Sequence, residues 1–377
     1  MNVPVIIGNA KLYLGDCRES MRAMPARSIH TCVTSPPYFG LRDYGHDGQI
    51  GLEQTPDEYV AKLVEVFREV RRVLRDDGTL WLNLGDSYAA QRGGTHQPAE
   101  TLGGGKHGKT TDGERVNRDR FDGYNPTRNA SAIGLKHKDL IGIPWRVAFA
   151  LQADGWYLRQ EIIWAKPNPM PESVKDRCTK SHEQIFLLSK SAKYYFDHEA
   201  IKEPVAEATK SRLAQNVEAQ RGSERVPGKT NGPMKAVRSK ANSFKREGSK
   251  REQAIPGQTV GTHRPDRKES EYDLDTRNKR DVWTVATRPF KGAHFATFPP
   301  ELIEPCVLAG APVGGVVLDT FGGAGTTGLV ATQKGRDAVL CELNPEYADM
   351  AVKRISEASE DARRCIEDAQ RKARMFK

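Results

Sequence analysis

Short apolar runs alternate along the chain with longer segments whose apolar residues recur every three or four positions, the pattern of strands interleaved with helices. Lys11 to Asp16 predicts a strand ending in a Gly-Asp turn, and Ile29 to Val33 predicts a buried strand stopped by Pro36 and Pro37. Thr55, followed by Pro56 and Glu58, predicts a helix start with Thr55 as its cap. Tyr59, Leu63, Val66, Phe67, Val70, Val73 and Leu74 then share one face, and Asp76-Asp77-Gly78 closes the helix. Gly78 to Leu84 reads as the next strand, closed by Gly85-Asp86. A helix runs from Asp139 to near Gly155. Strands at Arg159–Ala165 and Glu183–Ser189 follow in quick succession, the second continuing through Lys193–Asp197, and should pair antiparallel at one sheet edge. Gly314–Thr320 and Asp337–Cys341 read as strands around a helix beginning at Leu329–Lys334, and a long helix occupies Glu346 to about Met375. This alternation predicts an α/β fold, a doubly wound and mostly parallel sheet.

Three stretches break the pattern. Gly40 to Thr55 holds four glycines without a period and reads as a loop over a site. Ala90 to Lys138 holds nine glycines and little that is apolar, and residues 200–281 are polar throughout, too poor in apolar residues for a core of their own. Charge concentrates in the same places. The net charge is +9, yet residues 201–251 carry 13 Lys/Arg against 5 Asp/Glu and residues 91–138 carry 9 against 5, so the remainder is slightly acidic. A basic excess confined to inserts points to a polyanion partner, because phosphate neutralisation and counterion release supply most non-specific nucleic-acid affinity.

The six cysteines form no CxxC pair and the nine histidines no ligand-spaced cluster, which predicts reduced thiols, a cytoplasmic protein and no metal site. Met1 to Lys11 is too short and mixed for a secretory leader, and no apolar run approaches the ~18 residues a membrane span needs. The chain is expected to be soluble.

Two strand ends carry candidate chemistry. At Thr34-Ser35-Pro36-Pro37-Tyr38 the prolines stiffen a turn whose carbonyls neither a ladder nor a helix claims. A hydroxyl at Ser35 and an aromatic face at Tyr38 stand beside them. Acceptors next to a flat plate suit a planar ring bearing an exocyclic amine, although a proline turn that merely ends a strand has the same composition. The second end runs from Asp319 through Phe321, Gly322, Gly323, Gly325, Thr326 and Thr327 to Gly328. Its G-x-G-x-x-G occupies 323–328, and the acidic Glu342 ends the following strand, 23 residues past Asp319. Glycines admit a ligand close to the backbone and a carboxylate at the next strand tip receives ribose hydroxyls, the layout of a nucleoside-binding half-fold. Packing glycines alone would also explain the repeat. The stretch at 319–328 is not itself a P-loop, because it contains no Gly-Lys-Ser/Thr.

Taken together these segments resemble the S-adenosylmethionine-dependent amino-DNA methyltransferases of permuted, β-type motif order, over most of residues 10–90, 139–198 and 290–355. The resemblance implies a Rossmann-like fold with a seven-stranded sheet, circularly permuted motif order and basic insertions. It implies a catalytic motif of Ser35, Pro36, Pro37 and Tyr38, and a methionine-binding loop at Asp319, Phe321, Gly323, Gly325, Thr326 and Thr327. Glu342 is the implied ribose ligand, Asp16 the carboxylate near the adenine amine, and Phe298, within His294–Glu301, part of the stretch closing over the cofactor. Trp164–Asn168 and Ser181–Glu183 resemble segments flanking the target pocket. Thr320 stands where proline is frequent and Ala324 where serine is frequent. The implied cofactor is S-adenosyl-L-methionine and the implied partner double-stranded DNA. A cognate restriction endonuclease, or none, and self-association remain open.

In that family Ser-Pro-Pro-Tyr favours cytosine N4 as the methylated atom, with adenine N6 second. A more distant rival is a non-catalytic S-adenosylmethionine sensor that binds DNA, for which the Pro-Pro turn would be superfluous. The catalytic domain is expected in 1–90, 139–199 and 282–360. Residues 91–138 form the expected glycine-rich basic insertion, 200–281 a target-recognition region and 361–377 a charged helical tail.

Overall fold

The computed structural model describes residues 3–46, 48–90, 130–131, 133–207, 275–288 and 298–358. Most of the expected basic insertion and of the target-recognition region, His294 to Thr297 and the C-terminal tail lie outside the described residues. Two compact units divide the chain, one of Met1–Ala200 with Arg280–Lys377 and one of Ile201–Lys279. Within the second, β7 (Glu203–Pro204) and β8 (Thr276–Arg277) pair antiparallel, and Glu203 is bonded by Arg277 and Lys279.

The first unit is built on a nine-stranded sheet in the order β1-β2-β11-β10-β3-β4-β6-β5-β9. Its members are β1 (Val5–Ile7), β2 (Ala10–Leu14), β3 (Ile29–Thr34), β4 (Leu74–Leu84), β5 (Tyr157–Ala165), β6 (His182–Ser189), β9 (Val282–Thr284), β10 (Val316–Asp319) and β11 (Asp337–Glu342). The seven expected strands are the interior ones, and two three-residue strands too short to show a period, β1 and β9, extend the edges. From β2 to β4 every pairing is parallel, whereas β6 runs against both β4 and β5.

The helices are α1 (Cys17–Arg22), α2 (Pro56–Val73), α3 (Ile143–Ala153), α4 (Pro300–Gly310), α5 (Thr326–Gln333) and α6 (345–358). α1, α2 and α3 pack together, and α4 packs on α5. The crossovers β3-α2-β4 and β10-α5-β11 wind in opposite directions from the sheet centre, so the two groups cover opposite faces. α2 begins with a complete capping box. Thr55 Oγ1 accepts from Glu58 N at 3.2 Å and Glu58 Oε2 accepts from Thr55 N at 3.3 Å. Its buried stripe is the one its periodicity predicts, from Tyr59 to Val73. α4 approaches β3 closely, since a Cβ on Gly310 would lie 2.5 Å from Thr31 Oγ1.

Several boundaries differ from expectation. α3 starts at Ile143 rather than Asp139, because Leu140 bridges to Tyr88 and Gly142, in the left-handed conformation (φ 77°), is the helix N-cap. α2 stops at Val73 rather than at Asp76-Asp77-Gly78, because Leu74 turns extended and pairs with Ile29. Lys193 to Asp197 is not a strand, since β6 ends at Ser189, whose Oγ donates to the Ser191 carbonyl. α5 starts at Thr326, not Leu329, because Gly325 in the left-handed conformation (φ 76°) serves as its N-cap. No helix among the described residues is long and apolar enough to cross a membrane.

Candidate active site

The winding reverses between β3 and β10, and there the carboxyl ends of two parallel strands open a crevice. Both candidate stretches leave the sheet at this point and they are bonded to each other. Thr34 Oγ1, at the tip of β3, donates to Asp319 Oδ1 at the tip of β10, at 2.7 Å. The same oxygen accepts from Phe321 N at 3.1 Å, and Oδ2 accepts from Thr327 Oγ1 at 2.6 Å. Asp319 is thus a buried brace between the stretches. Burial raises its carboxyl above the usual range, against the opposing pull of the bonds from Thr327, Thr34 and Phe321.

The proline turn is held from behind. Tyr59 Oη donates to the Pro37 carbonyl at 2.8 Å, and Leu41 N donates to that of Tyr38 at 3.2 Å. None of the described residues donates to the Pro36 carbonyl. The Tyr38 ring lies against Gly85, where a Cβ would come within 2.4 Å of its Cε2, so glycine at the end of β4 makes room for the ring.

A cavity of about 370 Å³ occupies the crevice. Ser35, Pro36, Pro37 and Tyr38 line it together with Asp16, Phe298, Phe321, Gly323, Thr326 and Glu342. Three expected residues, Asp319, Gly325 and Thr327, are not in its lining. Asp319 and Thr327 bond one another behind the wall, and Gly325 faces α6, a Cβ there falling 2.7 Å from Ala351 Cβ. Glu342 holds the glycine loop in place, Oε2 accepting from Gly323 N at 2.6 Å and Oε1 from Asn344 N at 2.8 Å. Burial raises its carboxyl despite those N–H groups. Each oxygen keeps a second lone pair for a further donor. Asp16 caps α1, accepting from Arg18 N at 2.7 Å, and pairs with the Arg18 guanidinium at 2.7 Å. Burial would raise its carboxyl, but the Arg18 bonds and charge outweigh that and lower it.

The lining also includes Asn83, Glu183, Lys166, Trp164 and two tyrosines that the sequence alone did not single out as site residues or placed only in flanking segments. Tyr44, from the loop at 40–55, meets Tyr347 of α6 edge to face at 6.2 Å between centroids. Tyr38 Oη donates to Glu183 Oε2 at 2.7 Å and accepts from Asn83 Nδ2 at 2.9 Å, while Lys166 Nζ bonds Glu183 Oε1. Burial first, and then the Glu183 charge, raise the Tyr38 phenol well above its usual value, so it remains a neutral donor. One signal for Asn83 was present in the sequence, a single polar amide in the otherwise apolar Leu80–Leu84 run.

Fold and site define a Rossmann-like enzyme class with a nucleoside-type loop beside an amine-accepting turn. The particular family follows from comparison. Residues 29–353 match the family model for N6/N4 DNA methylases, described as DNA methylase. The chain is 42% identical to the type II methyltransferase M.Cfr9I of Citrobacter freundii over 93% of its own length and 89% of the relative's. Identity is also 42% to the type II methyltransferase M.SmaI of Serratia marcescens, over 92% and 91% respectively. Among solved structures, the cytosine-N4-specific PvuII DNA methyltransferase shares the fold with a TM-score of 0.52 at 16% identity, covering 95% of this chain and 94% of that one. The chain belongs to the amino-DNA methyltransferase family. It is a DNA methyltransferase, and its cofactor is S-adenosyl-L-methionine.

The residues present fit that cofactor. A carboxylate with spare lone pairs at a strand tip suits ribose hydroxyls, a glycine loop that lines the cavity at Gly322 and Gly323 suits close approach, and Tyr44, Tyr347 and Phe321 supply apolar walls for an adenosyl group.

Proposed function

We propose that the protein methylates the exocyclic N4 of a cytosine within a specific sequence of double-stranded DNA, the target base being flipped into the cavity. The observation that carries this reading is that Ser35 and Pro36 line the same cavity as Gly323 and Glu342, so that amine and methyl donor share one crevice. Ser35 at the head of the motif, a neutral hydroxyl rather than a carboxylate, favours cytosine N4 over adenine N6 through the family pattern noted above.

S-adenosylmethionine supplies an electrophilic methyl group, so the chain's task is positioning and charge stabilisation. Glu342 takes the ribose, Gly323, Phe321 and Thr326 the methionine side, Asp16 the adenine side, and Phe298 covers the cofactor. Asp319, Gly325 and Thr327 hold that loop from behind. An amine conjugated to its ring is a poor nucleophile. Ser35 Oγ and the Pro36 carbonyl accept its two N–H groups, turn its lone pair out of conjugation and stabilise the positive charge that grows on nitrogen. Pro37 stiffens the turn and the Tyr38 ring provides a stacking face. Neither acceptor is a strong base, so the proton leaves to water after transfer. The amine is out of reach inside a duplex, which is why the base must leave the stack.

The basic segments 91–138 and 200–281 contact phosphates and base edges, with the catalytic domain in 1–90, 139–199 and 282–360. The protein works in the cytoplasm, where its DNA is, and the type II relatives favour a cognate restriction endonuclease as functional partner. Single-molecule sequencing of DNA from cells expressing the chain tests the reaction directly. N4-methylcytosine at one recurring sequence is expected. N6-methyladenine alone, or unmodified DNA, overturns the reading.

A further inference from the structure

We infer that Asn83 and Lys166 grip the ring edge of the flipped base and that Lys166 separates cytosine from adenine, an inference that rests on the cytosine N4 reading above. The cavity wall beside Ser35 is a continuous polar chain. Tyr38 Oη donates to Glu183 Oε2 and accepts from Asn83 Nδ2, and Lys166 Nζ pairs with Glu183 Oε1. A carboxylate only accepts, so the Asn83 amide turns its nitrogen to this end of the site, 3.2 Å from Glu183 Oε2. Lys166 is held on its other side by the face of Trp164, 4.2 Å from the ring centroid.

Asn83 has two amide hydrogens. One serves Tyr38 and Glu183. The other faces Ser35 Oγ at 3.4 Å, the outer limit of a hydrogen bond, and is available to a better acceptor. Lys166 has three N–H donors, of which Glu183 takes one. Read outward from Ser35, the wall therefore presents an acceptor, then the Asn83 donor, then the Lys166 donor. The Watson–Crick edge of cytosine, from N4 through N3 to O2, presents a donor, an acceptor and an acceptor. Adenine matches the first two positions with N6 and N1 but offers a C2–H at the third. The third position thus separates the bases, since Lys166 meets a carbonyl in cytosine and an apolar C–H in adenine. Sites that hydrogen-bond a substrate group reject an analogue lacking it, because the protein partner is then left without a mate in a desolvated place.

The test compares kcat/KM on duplexes carrying the chain's own recognition sequence, with the target cytosine kept or replaced by adenine. The double variant Lys166→Met/Glu183→Gln removes the ammonium without leaving a bare carboxylate. Its preference for cytosine over adenine should fall by about tenfold or more, and Lys166→Arg should retain most of that preference. Asn83→Asp turns the shared donor into an acceptor and should slow transfer to both bases by about tenfold or more while cofactor affinity holds. A merely structural role for Lys166 would slow both substrates alike and leave the ratio alone. An unchanged ratio in a folded, cofactor-binding double variant, or unimpaired transfer by Asn83→Asp, overturns the inference while the cytosine reading stands. Wild-type transfer to adenine and not to cytosine overturns both.

Discussion

Replacing Asp319 by alanine probes the brace that joins the two halves of the site. Its carboxylate, 1% exposed, accepts from Thr34 Oγ1, Thr327 Oγ1 and Phe321 N. An orphaned buried donor costs about 1–3 kcal/mol, which would place three at ~3–9 kcal/mol. Two of them have a fallback. Thr34 Oγ1 also lies 3.2 Å from Thr320 Oγ1, and Thr327 Oγ1 3.4 Å from the Val33 carbonyl. Only the Phe321 N–H is left without an acceptor, so the loss should sit at the lower end, about 3 kcal/mol. With a urea m-value of ~3 kcal/mol per molar, the unfolding midpoint should fall by about 1 M. Because Phe321 and Gly323 belong to the loop so released, cofactor affinity measured by titration calorimetry should fall as well, by about tenfold. Asp319→Asn keeps the shape and one accepting oxygen, and its midpoint should fall by less than half as much. A midpoint within ~0.3 M of wild type for Asp319→Ala, with cofactor affinity intact, would falsify the claim that this side chain ties the strands together.

Further predictions concern catalysis, packing and pH. Ser35→Ala should reduce methyl transfer by ~100-fold or more in a filter-binding assay while S-adenosylmethionine still binds; full activity would remove Ser35 from catalysis. Gly325→Ala should lower the melting temperature by several degrees, since a Cβ there would lie 2.7 Å from Ala351 Cβ on a backbone at φ 76°; an unaltered melt would show that α6 yields freely. His30 Nδ1 accepts from Val316 N at 2.9 Å, which requires neutral imidazole, and burial, followed by the Arg75 charge, lowers its pKa below 6.5 despite Asp77. Between the lowered folded value and 6.5 the unfolded chain binds the extra proton, so this contribution is full above pH 6.5 and is lost as pH falls below it. Chemical denaturation from pH 7.5 to 5 should show that loss in wild type and a shallower one in His30→Gln; parallel curves would exclude the histidine as its source.

The legibility of the fold followed the physics of each element. α2 declared itself because Thr55, Pro56 and Glu58 act locally and its buried stripe is long enough for a period to emerge. β1 and β9 are three residues each, below the length at which alternation can be told from chance, and α1 has only six. At the site, the proline turn and the glycine loop could be read because each concentrates residues with unusual backbone rules. Lys166 and Glu183 could be read only as members of segments resembling the flanks of the target pocket, and their bonding to one another and to Asn83 could not, since it depends on β4, β5 and β6 lying side by side, a fact of sheet order that no local window contains. Asp319 was expected among the cofactor contacts, and nothing in its sequence neighbourhood distinguishes a carboxylate turned to a ligand from one turned to Thr34, 285 positions away.

That separation has a consequence during synthesis. The tip of β3 leaves the ribosome 285 residues ahead of the tip of its neighbour β10, and β2 leads the β11 strand on which it docks by still more. Contacts so distant in sequence close late, and until they do the amino-terminal strands keep open edges. A nascent or prematurely terminated chain ending before Glu342 therefore possesses the proline turn yet no crevice, and the cell receives methylating activity only from chains in which synthesis has passed that residue.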